Sequence, residues 1–458
     1  MSPLPCSIRY AGAIAVAALT ACGGDGPDAA GSLDGGDGGD GGDAGVAGLT
    51  RYPADVETSP VTEAVAARMR AIAAAGPGQR DDVFMKIGAS GTVSTHFLFC
   101  LAGTNHQPSY TIDLGGRDAL AATLAHFRGG LVGGDTPFDR ATLAAEVGRN
   151  AGWAITGAPS PVEAELAATT PRFAFVNYGT NDMGAAASYG AALVPFWERM
   201  GTLLDQLETA GVVPIITGLN PRADAADAAR WVPTWDSVTR ALAEARQVPY
   251  LSLQVASSPL ADLGLAADGI HGNVFVDAGR AEPCMFTAEG LAFNYDVRNL
   301  RSLELLDAAR RTVLAGETAP AVPPLPPVAG SGTTADPFVV DTLPFTHTAS
   351  TGGGEAARNA YPGCDQGQDE SGPERVYALH LDQPTALRVV ALDREGVDVD
   401  VHVLTGDACL ERNDRLVDRT LVAGDHIVVV DSFVSSAGAQ AGVYTLVLQP
   451  CAAADPGC

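Results

Sequence analysis

The sequence predicts an α/β domain, built on a parallel sheet covered by helices on both faces, followed by a small antiparallel β-sandwich. Two observations predict the first domain. Between about Ser59 and Gly316, short apolar runs of strand length alternate with longer helical stretches, and several of these runs are continuously apolar, as in strands buried on both faces. A third observation predicts the second domain. Beyond a proline-rich segment the helical stretches stop, and only strand-length runs remain.

The elements of the first domain follow from the period of the apolar residues. The predicted strands are 83–87, 151–156, 173–178, 212–217 and 249–253. The predicted helices are 60–75, 119–127, 140–147, 161–168, 189–210, 234–246 and 299–314. Because ligands bind beyond the carboxyl ends of the strands in such sheets, residues directly after each strand are the first candidates for a functional site.

The second domain is predicted over 335–450, after a proline-rich linker at 317–334 and before a tail at 451–458. Its predicted strands are 376–381, 386–391, 397–404, 419–422, 426–430 and 442–448. In the third of these strands valines alternate with Asp398, Asp400 and His402, which predicts a half-buried strand with these polar residues facing solvent. Carboxylates in such positions seldom hold calcium, and we predict no metal site.

Charge excludes some partners. The chain of 458 residues has 28 Lys and Arg against 54 Asp and Glu, a formal charge of −26, and Lys86 is its single lysine. Binding to nucleic acid or to an anionic lipid surface is therefore not expected. The length suffices for two domains with cores of ordinary size.

The N-terminus has the pattern of an export signal. Arg9 precedes a short apolar run at 11–19, and small residues lead to Cys22. This run is too short to span a membrane. Residues before Gly23 resemble the lipobox of bacterial lipoproteins, which implies a signal peptide at 1–21, lipid attachment to Cys22 and a place at the outer membrane or cell surface. The Gly/Asp-rich segment 22–57 is predicted to be a solvated tether.

The remaining cysteines suit an oxidising compartment. Cys6 would leave with the signal peptide and Cys22 would carry lipid. The other six of the eight cysteines are Cys100, Cys284, Cys364, Cys409, Cys451 and Cys458. An even number in an exported chain predicts disulfides, and the absence of close Cys/His spacing argues against metal binding. Sequence leaves fifteen pairings open. Grouping by domain favours Cys100 with Cys284, Cys364 with Cys409, and Cys451 with Cys458.

The first candidate for chemistry is Ser90. It follows the strand 83–87 between Gly88 and Gly91, and Thr92 opens a segment that could be helical. A serine at a tight strand-to-helix turn exposes its hydroxyl, and helix amides point at negative charge that develops there. An ordinary turn is the alternative.

Two further stretches add to this serine. The strand 173–178 ends in Gly179-Thr180-Asn181-Asp182, at the sheet edge where Ser90 is expected. Later comes Asp268-Gly269-Ile270-His271. At this spacing Asp268 can reach one ring nitrogen of His271 and leave the other for a hydroxyl.

Each stretch also has an ordinary interpretation. Asn181 and Asp182 could cap a helix, and Asp268 could open a turn. His271 could be a simple loop histidine, and other histidines compete with it for the catalytic role. These competitors are His96, His106 and His126.

Serine, asparagine, aspartate and histidine in this order resemble the SGNH (GDSL-type) hydrolases over about 81–314. The resemblance implies a flavodoxin-like, three-layer, doubly wound sheet and hydrolysis of acyl esters. Ser90 would be the nucleophile, His271 the general base and then acid, and Asp268 the residue that orients His271. No metal or organic cofactor is implied.

The resemblance also implies an oxyanion hole made of the Ser90 amide, the Asn181 carboxamide and a glycine amide. We favour Gly157 for the glycine, with Gly152 and Gly134 as alternatives. One departure matters: the family has aspartate where this chain has Ala89. That aspartate supports the site by hydrogen bonding, so its absence suggests a weakened or rearranged site.

The function predicted from these features is that of a lipid-anchored, monomeric esterase that removes short acyl groups from small esters or saccharides. One alternative is an SGNH-fold surface lipoprotein that binds without turnover. Another is a lipid or phospholipid hydrolase with the same catalytic residues. The second domain resembles pre-peptidase C-terminal-like domains, around Cys364, Cys409 and 441–446, which implies an accessory module without chemistry of its own.

Overall fold

The computed structural model describes residues 48–103, 110–317, 322–364, 367–452, 455 and 457–458. They belong to one compact unit, Gly41–Cys458. The predicted signal peptide, Cys22, most of the predicted tether and His106 lie outside the described residues. Within the described part, no helix combines the length and apolarity that a membrane span requires.

Four parallel strands form the sheet of the N-terminal part, in the order β1 (Arg80–Gly88), β2 (Pro171–Asn177), β3 (Val213–Thr217) and β4 (Tyr250–Leu251). On the free side of β1, a single parallel bridge joins Gly88 to Ala145. The chain therefore leaves β1 toward one side and returns to β2 on the other. This reversal beside β1 is a switch point of the kind at which doubly wound sheets bind ligands.

Both faces of this sheet are covered. Successive side chains of a strand point to opposite faces, and β3 is buried throughout, as is β2 up to its last residue. On β1, Phe84 packs edge-to-face against Phe127, Phe138 and Phe175. The predicted parallel sheet with two covered faces is thus confirmed.

Nine α-helices are described in this part of the chain: α1 (Glu63–Ala75), α2 (Ser90–Val93), α3 (Ala121–Arg128), α4 (Ala151–Ala154), α5 (Pro161–Thr169), α6 (Leu193–Thr209), α7 (Ala226–Arg246), α8 (Leu253–Ser257) and α9 (Asn294–Leu314). Short 3-10 segments include Phe99–Ala102, Asp118–Leu120, Ala261–Gly264 and Gly290–Ala292. A small hairpin is formed by β5 (Val276–Asp277) and β6 (Arg280–Ala281).

Two predicted elements are wrong, and they are neighbours. The predicted helix 140–147 is irregular, because its backbone pairs with Gly88 of β1 instead of with itself. The predicted strand 151–156 begins with α4. The Asn150 side chain accepts a hydrogen bond from the amide of Trp153, and Asp182 accepts one from the amide of Ala151, so polar caps begin a helix that the apolar pattern did not indicate.

Two other elements differ in extent. Helix α7 begins eight residues before its predicted start at Thr234, since it runs through Pro233, a residue that ordinarily interrupts a helix. The predicted helical segment 93–101 is reduced to α2 and the 3-10 turn Phe99–Ala102.

The C-terminal part is an antiparallel β-sandwich, as predicted. Its strands are β7 (Phe338–Val340), β8 (Phe345–Ser350), β9 (Glu374–Leu381), β10 (Thr385–Leu392), β11 (Val399–Thr405), β12 (Ala408–Asn413), β13 (Leu416–Leu421), β14 (Gly424–Ser432), β15 (Val434–Ser435), β16 (Gly438–Ala439) and β17 (Val443–Pro450). One sheet has the order β13-β10-β17-β8 and the other β12-β11-β14-β9-β7. Only the β7–β9 pair within these two sheets is parallel, and apolar side chains of both sheets form one core.

The half-buried character predicted for β11 is wrong. Asp400 is 1% exposed and His402 is fully buried. The segment before β9 covers this face of the sheet, where Tyr361 stacks on His402, and Arg412 of β12 bonds Asp400. Strands β7, β8 and β12 were not predicted from the sequence.

The two parts share an interface. Helix α7 packs on β8 and β17, and Val390 and Val447 of the sandwich belong to the apolar core of the N-terminal part. The Arg388 guanidinium lies 3.5 Å from the ring centre of Trp231. Both parts belong to one compact unit, Gly41–Cys458. The domain boundaries drawn from the sequence stay a prediction.

Residues at the end of the predicted tether are also packed. Tyr52 is fully buried, and its hydroxyl donates to the carbonyl of Val248. Arg51 bonds both the carbonyl of Pro326 and the carboxylate of Asp341, which fastens the proline-rich segment to the fold. Arg51 and Tyr52, which the sequence analysis assigned to the tether 22–57, are therefore packed against the fold.

The disulfide prediction is confirmed. Three bridges are present, Cys100–Cys284, Cys364–Cys409 and Cys451–Cys458.

Candidate active site

Ser90 lies at the turn between β1 and α2, directly after the switch point of the sheet. The turn requires glycine at Gly88, because a Cβ there would lie 2.2 Å from the Thr92 hydroxyl and 2.7 Å from the Asn177 carbonyl. Ser90 is the first residue of α2, and the first amides of a helix have no intrahelical acceptor. The local fold thus presents a hydroxyl together with free backbone N–H groups.

The hydroxyl is bonded to the predicted histidine. Ser90 Oγ lies 2.7 Å from His271 Nε2, and His271 Nδ1 lies 2.6 Å from Asp268 Oδ2. The other carboxylate oxygen of Asp268 accepts the amides of Ile270 and His271, each at 3.0 Å. Since a carboxylate accepts hydrogen bonds, the Nδ1 of His271 carries the proton and its Nε2 faces the serine hydroxyl with a lone pair.

The hydrogen-bonded chain of Ser90, His271 and Asp268, called the relay below, ends in a charged group. The hydrogen bond from His271, assisted by the two backbone amides, lowers the pKa of Asp268 to about 2. Asp268 is therefore ionised at neutral pH and can stabilise a protonated imidazole. The side chains of Asp268 and His271 are 49% and 41% exposed, so the relay is open to solvent at the protein surface.

His96 and His126, the other described histidines that the sequence offered as candidates, bond other groups. His96 packs edge-on against Tyr295, and His126 bonds the carbonyl of Asp81 through Nε2. Among the histidines in the described part of the chain, His271 is the one bonded to the serine.

The Gly179–Asp182 turn lies beside the relay. Asp182 is buried, which raises its pKa, and its carboxylate accepts the amides of Ala151 at 3.0 Å and Gly179 at 3.1 Å. Gly179 has a φ of +120° and faces Leu219 so closely that a Cβ would clash. These contacts fix the turn, and with it the position of Asn181.

Asn181 reaches the cavity at Ser90, but its amide is partly engaged. Its Nδ2 donates to the carbonyl of Arg149 at 2.8 Å. A carboxamide has two N–H bonds, so a second donor remains for a ligand.

The predicted role of Gly157 requires correction. The residue that lines the cavity from this side is Arg149, and Gly157, Gly152 and Gly134 are not among the lining residues. The physical reason is that the predicted helix 140–147 is irregular and the predicted strand 151–156 begins with helix α4. The segment before α4 runs along β1 and ends at the cavity, whereas Gly157 follows α4.

Two polar residues at the site, the buried Arg298 and the half-buried Asn177, were missed from the sequence. Arg298 of α9 donates to the carbonyl of Gly91 at 3.2 Å and to the carboxamide oxygen of Asn177 at 3.1 Å. Asn177, the last residue of β2, donates in turn to the carbonyls of Thr217 and Gly218. The polar end of an apolar strand could have indicated Asn177, but nothing in the pattern of α9 distinguishes Arg298.

Arg298 bears on the departure at Ala89. Ala89 precedes α2 and provides no side-chain cap to it. The turn at Ser90 is instead held by Arg298, which donates to the carbonyl of Gly91. Arg298 is 1% exposed, and its guanidinium lies 4.0 Å from the ring centre of Phe97. Burial lowers the pKa of Arg298 to about 10, so it stays charged at neutral pH.

The cavity at Ser90 is small, with a volume of about 30 Å³. One water-sized group needs about 10–15 Å³ of such space, so the cavity admits about two. Its lining is mainly polar: Ala89, Ser90, Gly91, Arg149, Asn177, Tyr178, Gly179, Thr180, Asn181, Asn220, Ile270, His271 and Arg298.

No family model and no curated protein matches this sequence. Solved structures similar to the chain include an acetylxylan esterase from Geobacillus stearothermophilus, with 12% identity, a TM-score of 0.31 and coverage of 50% of this chain and 95% of that one. A GDSL-like lipase from Bacteroides thetaiotaomicron has 13% identity and a TM-score of 0.29 over 53% of this chain and 99% of its own.

A two-domain esterase active on acetylated mannans has 11% identity and a TM-score of 0.27 over 83% of this chain and 94% of its own. Similarity at this level assigns neither activity nor substrate to the present chain. The proposals that follow therefore rest on its own geometry.

Proposed function

We propose that this chain is a serine esterase that removes short acyl groups, in particular acetyl, through Ser90, His271 and Asp268. One observation carries the proposal. Hydroxyl, imidazole and carboxylate form an unbroken hydrogen-bonded chain, with distances of 2.7 Å and 2.6 Å. This is the arrangement that activates a serine for attack on a carbonyl.

The proposed reaction has two steps. His271 Nε2 takes the proton of Ser90 as Oγ attacks the ester carbonyl, and then donates that proton to the departing alcohol. Water next attacks the acyl-serine with His271 again as base, and the protonated His271 returns this proton to Ser90 Oγ as the bond to the acyl group breaks and the acid is released. Asp268 remains ionised throughout and stabilises the protonated imidazole.

The negative oxygen of the intermediate would be bound by the Ser90 amide and the remaining N–H of Asn181. Both residues line the cavity. Loss of one such donor typically costs about 10²–10³ in rate.

The size and polarity of the cavity favour a small acyl group on a hydroxylated alcohol. A volume of about 30 Å³ corresponds to about two water-sized groups, which is the size of an acetyl group. Around it lie Arg149, Thr180, Asn181 and Asn220, side chains that hydrogen-bond hydroxyl groups. We therefore propose an acetylated saccharide or small polyol ester in preference to a lipid.

We also propose that the protein is exported, lipid-anchored through Cys22 and monomeric. The three disulfides support an oxidising compartment. Membrane fractionation of a Cys22→Ser variant tests the anchor, and we expect the protein to leave the membrane fraction.

The activity is tested with a fluorophosphonate probe and p-nitrophenyl acetate. We expect Ser90→Ala to abolish labelling and to lower kcat by about 10⁴-fold or more. Ser94→Ala is the matched control, because Ser94 lies one turn further along, outside the cavity lining, and it should keep both. A wild-type protein that neither labels nor hydrolyses would favour the binding lipoprotein. Equal activity on p-nitrophenyl decanoate would contradict the small acyl pocket alone.

A further inference from the structure

A group of buried carboxylate and imidazole side chains lies in the β-sandwich. It is on the face of the β11–β14 sheet that the segment before β9 covers. It consists of Glu370 in that segment, His402 on β11 and Asp431 on β14. Their side chains are 2%, 0% and 0% exposed. One ligand-type atom from each lies within 4.8 Å of the other two.

Both carboxylates of the group have one bonded and one free oxygen. Glu370 Oε1 accepts Arg412 at 2.8 Å and Gln368 at 3.2 Å, and Asp431 Oδ2 accepts the hydroxyl of Tyr361. Glu370 Oε2 and Asp431 Oδ1 are buried and have no hydrogen-bond partner among the described residues. Carboxylates that ligate a metal are typically oriented in this way by hydrogen bonds to the other oxygen.

The histidine is also oriented and unpartnered. Tyr361 stacks on His402, with ring centres 3.6 Å apart and an angle of 10° between the rings. Neither ring nitrogen of His402 has a hydrogen-bond partner in the described part of the chain.

Acidic side chains outnumber basic ones around the group. Glu370, Asp400 and Asp431 are buried together, and Arg412 is the cation that bonds two of them. A second cation bound here would compensate carboxylate charge that is costly to bury.

We propose that Glu370, His402 and Asp431 bind a divalent transition-metal ion of the zinc type. Imidazole nitrogens and carboxylate oxygens are both zinc ligands, and two carboxylates would balance the charge of the ion. Ca²⁺ instead takes six to eight oxygen ligands. The ion would join the segment before β9 to β11 and β14, so its role would be structural.

One pair of ligand atoms already has nearly the spacing of a tetrahedral site. His402 Nε2 and Glu370 Oε2 are 3.9 Å apart, and tetrahedral ligands with bonds of 2.0–2.1 Å lie about 3.3 Å from each other. A movement of about half an ångström closes the difference for this pair, and all three ligand atoms lie within 4.8 Å of one another. A second cluster, Asp418 with Cys451 and Cys458, is not a candidate because both sulfurs are in a disulfide.

The test uses the purified protein stripped of metal with EDTA, followed by titration with ZnCl₂ and measurement of bound zinc by mass spectrometry. We expect one equivalent of Zn²⁺ and a higher melting temperature. At a free Zn²⁺ concentration of 100 Kd the unfolding equilibrium constant should fall about 100-fold. Asp431→Asn and His402→Phe should each reduce bound zinc to below about a tenth of an equivalent, because each removes a ligand atom.

His380→Phe is the matched control. His380 is exposed and pairs with Asp382 and Asp425 at the surface, where zinc could bind adventitiously. This variant should keep the full equivalent. If His402→Phe does not fold, the nearly isosteric Asp431→Asn variant decides.

Four results would overturn the proposal. Three are no zinc uptake, a full equivalent retained by Asp431→Asn, and uptake of Ca²⁺ but not Zn²⁺. The fourth is loss of the equivalent in His380→Phe, which would place the ion at the surface. None of these measurements depends on ester hydrolysis, so they are independent of the proposed esterase activity.

Discussion

Histidine meets carboxylate in two places in this chain, once at the edge of the parallel sheet and once on the covered face of the β-sandwich. At the sheet edge His271 is half-exposed, and its two ring nitrogens are bonded to Ser90 and Asp268. In the sandwich His402 is fully buried, and both of its ring nitrogens are unbonded within the described residues. The same residue types therefore stand in opposite environments.

The difference separates proton transfer from cation binding. Hydrogen bonds lower the pKa of Asp268 to about 2, whereas Asp431 is buried and one of its carboxylate oxygens has no hydrogen-bond partner in the described part of the chain. At the sheet edge, a hydroxyl and an imidazole that are hydrogen-bonded and reached by solvent can pass a proton between them. Side chains with unused lone pairs and no access to water are suited to hold an ion. We propose that this contrast distinguishes an active site from a structural metal site.

The largest expected effect tests the relay itself. His271→Gln should lower kcat for p-nitrophenyl acetate by about 10⁴-fold or more, since the serine loses its base. His126→Gln is the control, because His126 bonds only a backbone carbonyl through its ring, and it should keep activity within about twofold. Equal losses in both variants would mean that His271 has no special role.

The next effect concerns the exposed carboxylate. Asp268→Asn should lower kcat by about 10²–10⁴-fold, because the amide favours the wrong tautomer of His271. Asp268 is 49% exposed, so water can replace part of its function, and we expect the lower half of that range. The kcat of Asp268→Asn and Asp268→Ala together measures this. A loss below about threefold in both would remove Asp268 from the relay.

A smaller effect is expected at the oxyanion hole. Asn181→Ala should lower kcat by about 10²-fold with little change in KM, because the donor acts mainly on the intermediate. Asn220→Ala is the comparison, since Asn220 lines the same cavity but bonds Asn294. A rise in KM at constant kcat for Asn181→Ala would indicate substrate binding instead.

Much of the site could be predicted from sequence because its parts are local. Asp268 and His271 are three residues apart, so one turn brings them together, and Ser90 follows an apolar strand whose end must lie at the sheet edge. The disulfide pairs followed from domain grouping. These features depend on short stretches of chain and on the order of parallel strands.

The parts that could not be predicted depend on distant contacts. Arg298 reaches Gly91 from a helix more than 200 residues later, and no periodicity indicates this. Gly157 was preferred because 151–156 has the composition of a strand, yet Asn150 and Asp182 cap a helix there. His402 alternates with valines as an exposed residue would, but Tyr361 covers it.

Metal removal should separate the two regions. EDTA should lower the melting temperature, because the cluster of Glu370, His402 and Asp431 loses its ion, and should leave kcat on p-nitrophenyl acetate within about twofold. Re-addition of Zn²⁺ should restore the melting temperature. A parallel loss of kcat and stability that zinc restores together would mean that the regions are coupled.

The smallest effect is a pH dependence carried by Asp268. Its pKa in the folded protein is about 2, below the ordinary value of 3.8, so the unfolded chain binds the proton more readily between these values. Stability from this group is therefore present above about pH 4 and is lost as the pH falls toward 2. Because Asp268 is half-exposed, solvent screening keeps the contribution small. The melting temperature of wild type should fall slightly more steeply than that of Asp268→Asn between pH 4.5 and 2.5, by calorimetry. Parallel curves would mean that the carboxylate gains nothing from His271 in the folded state.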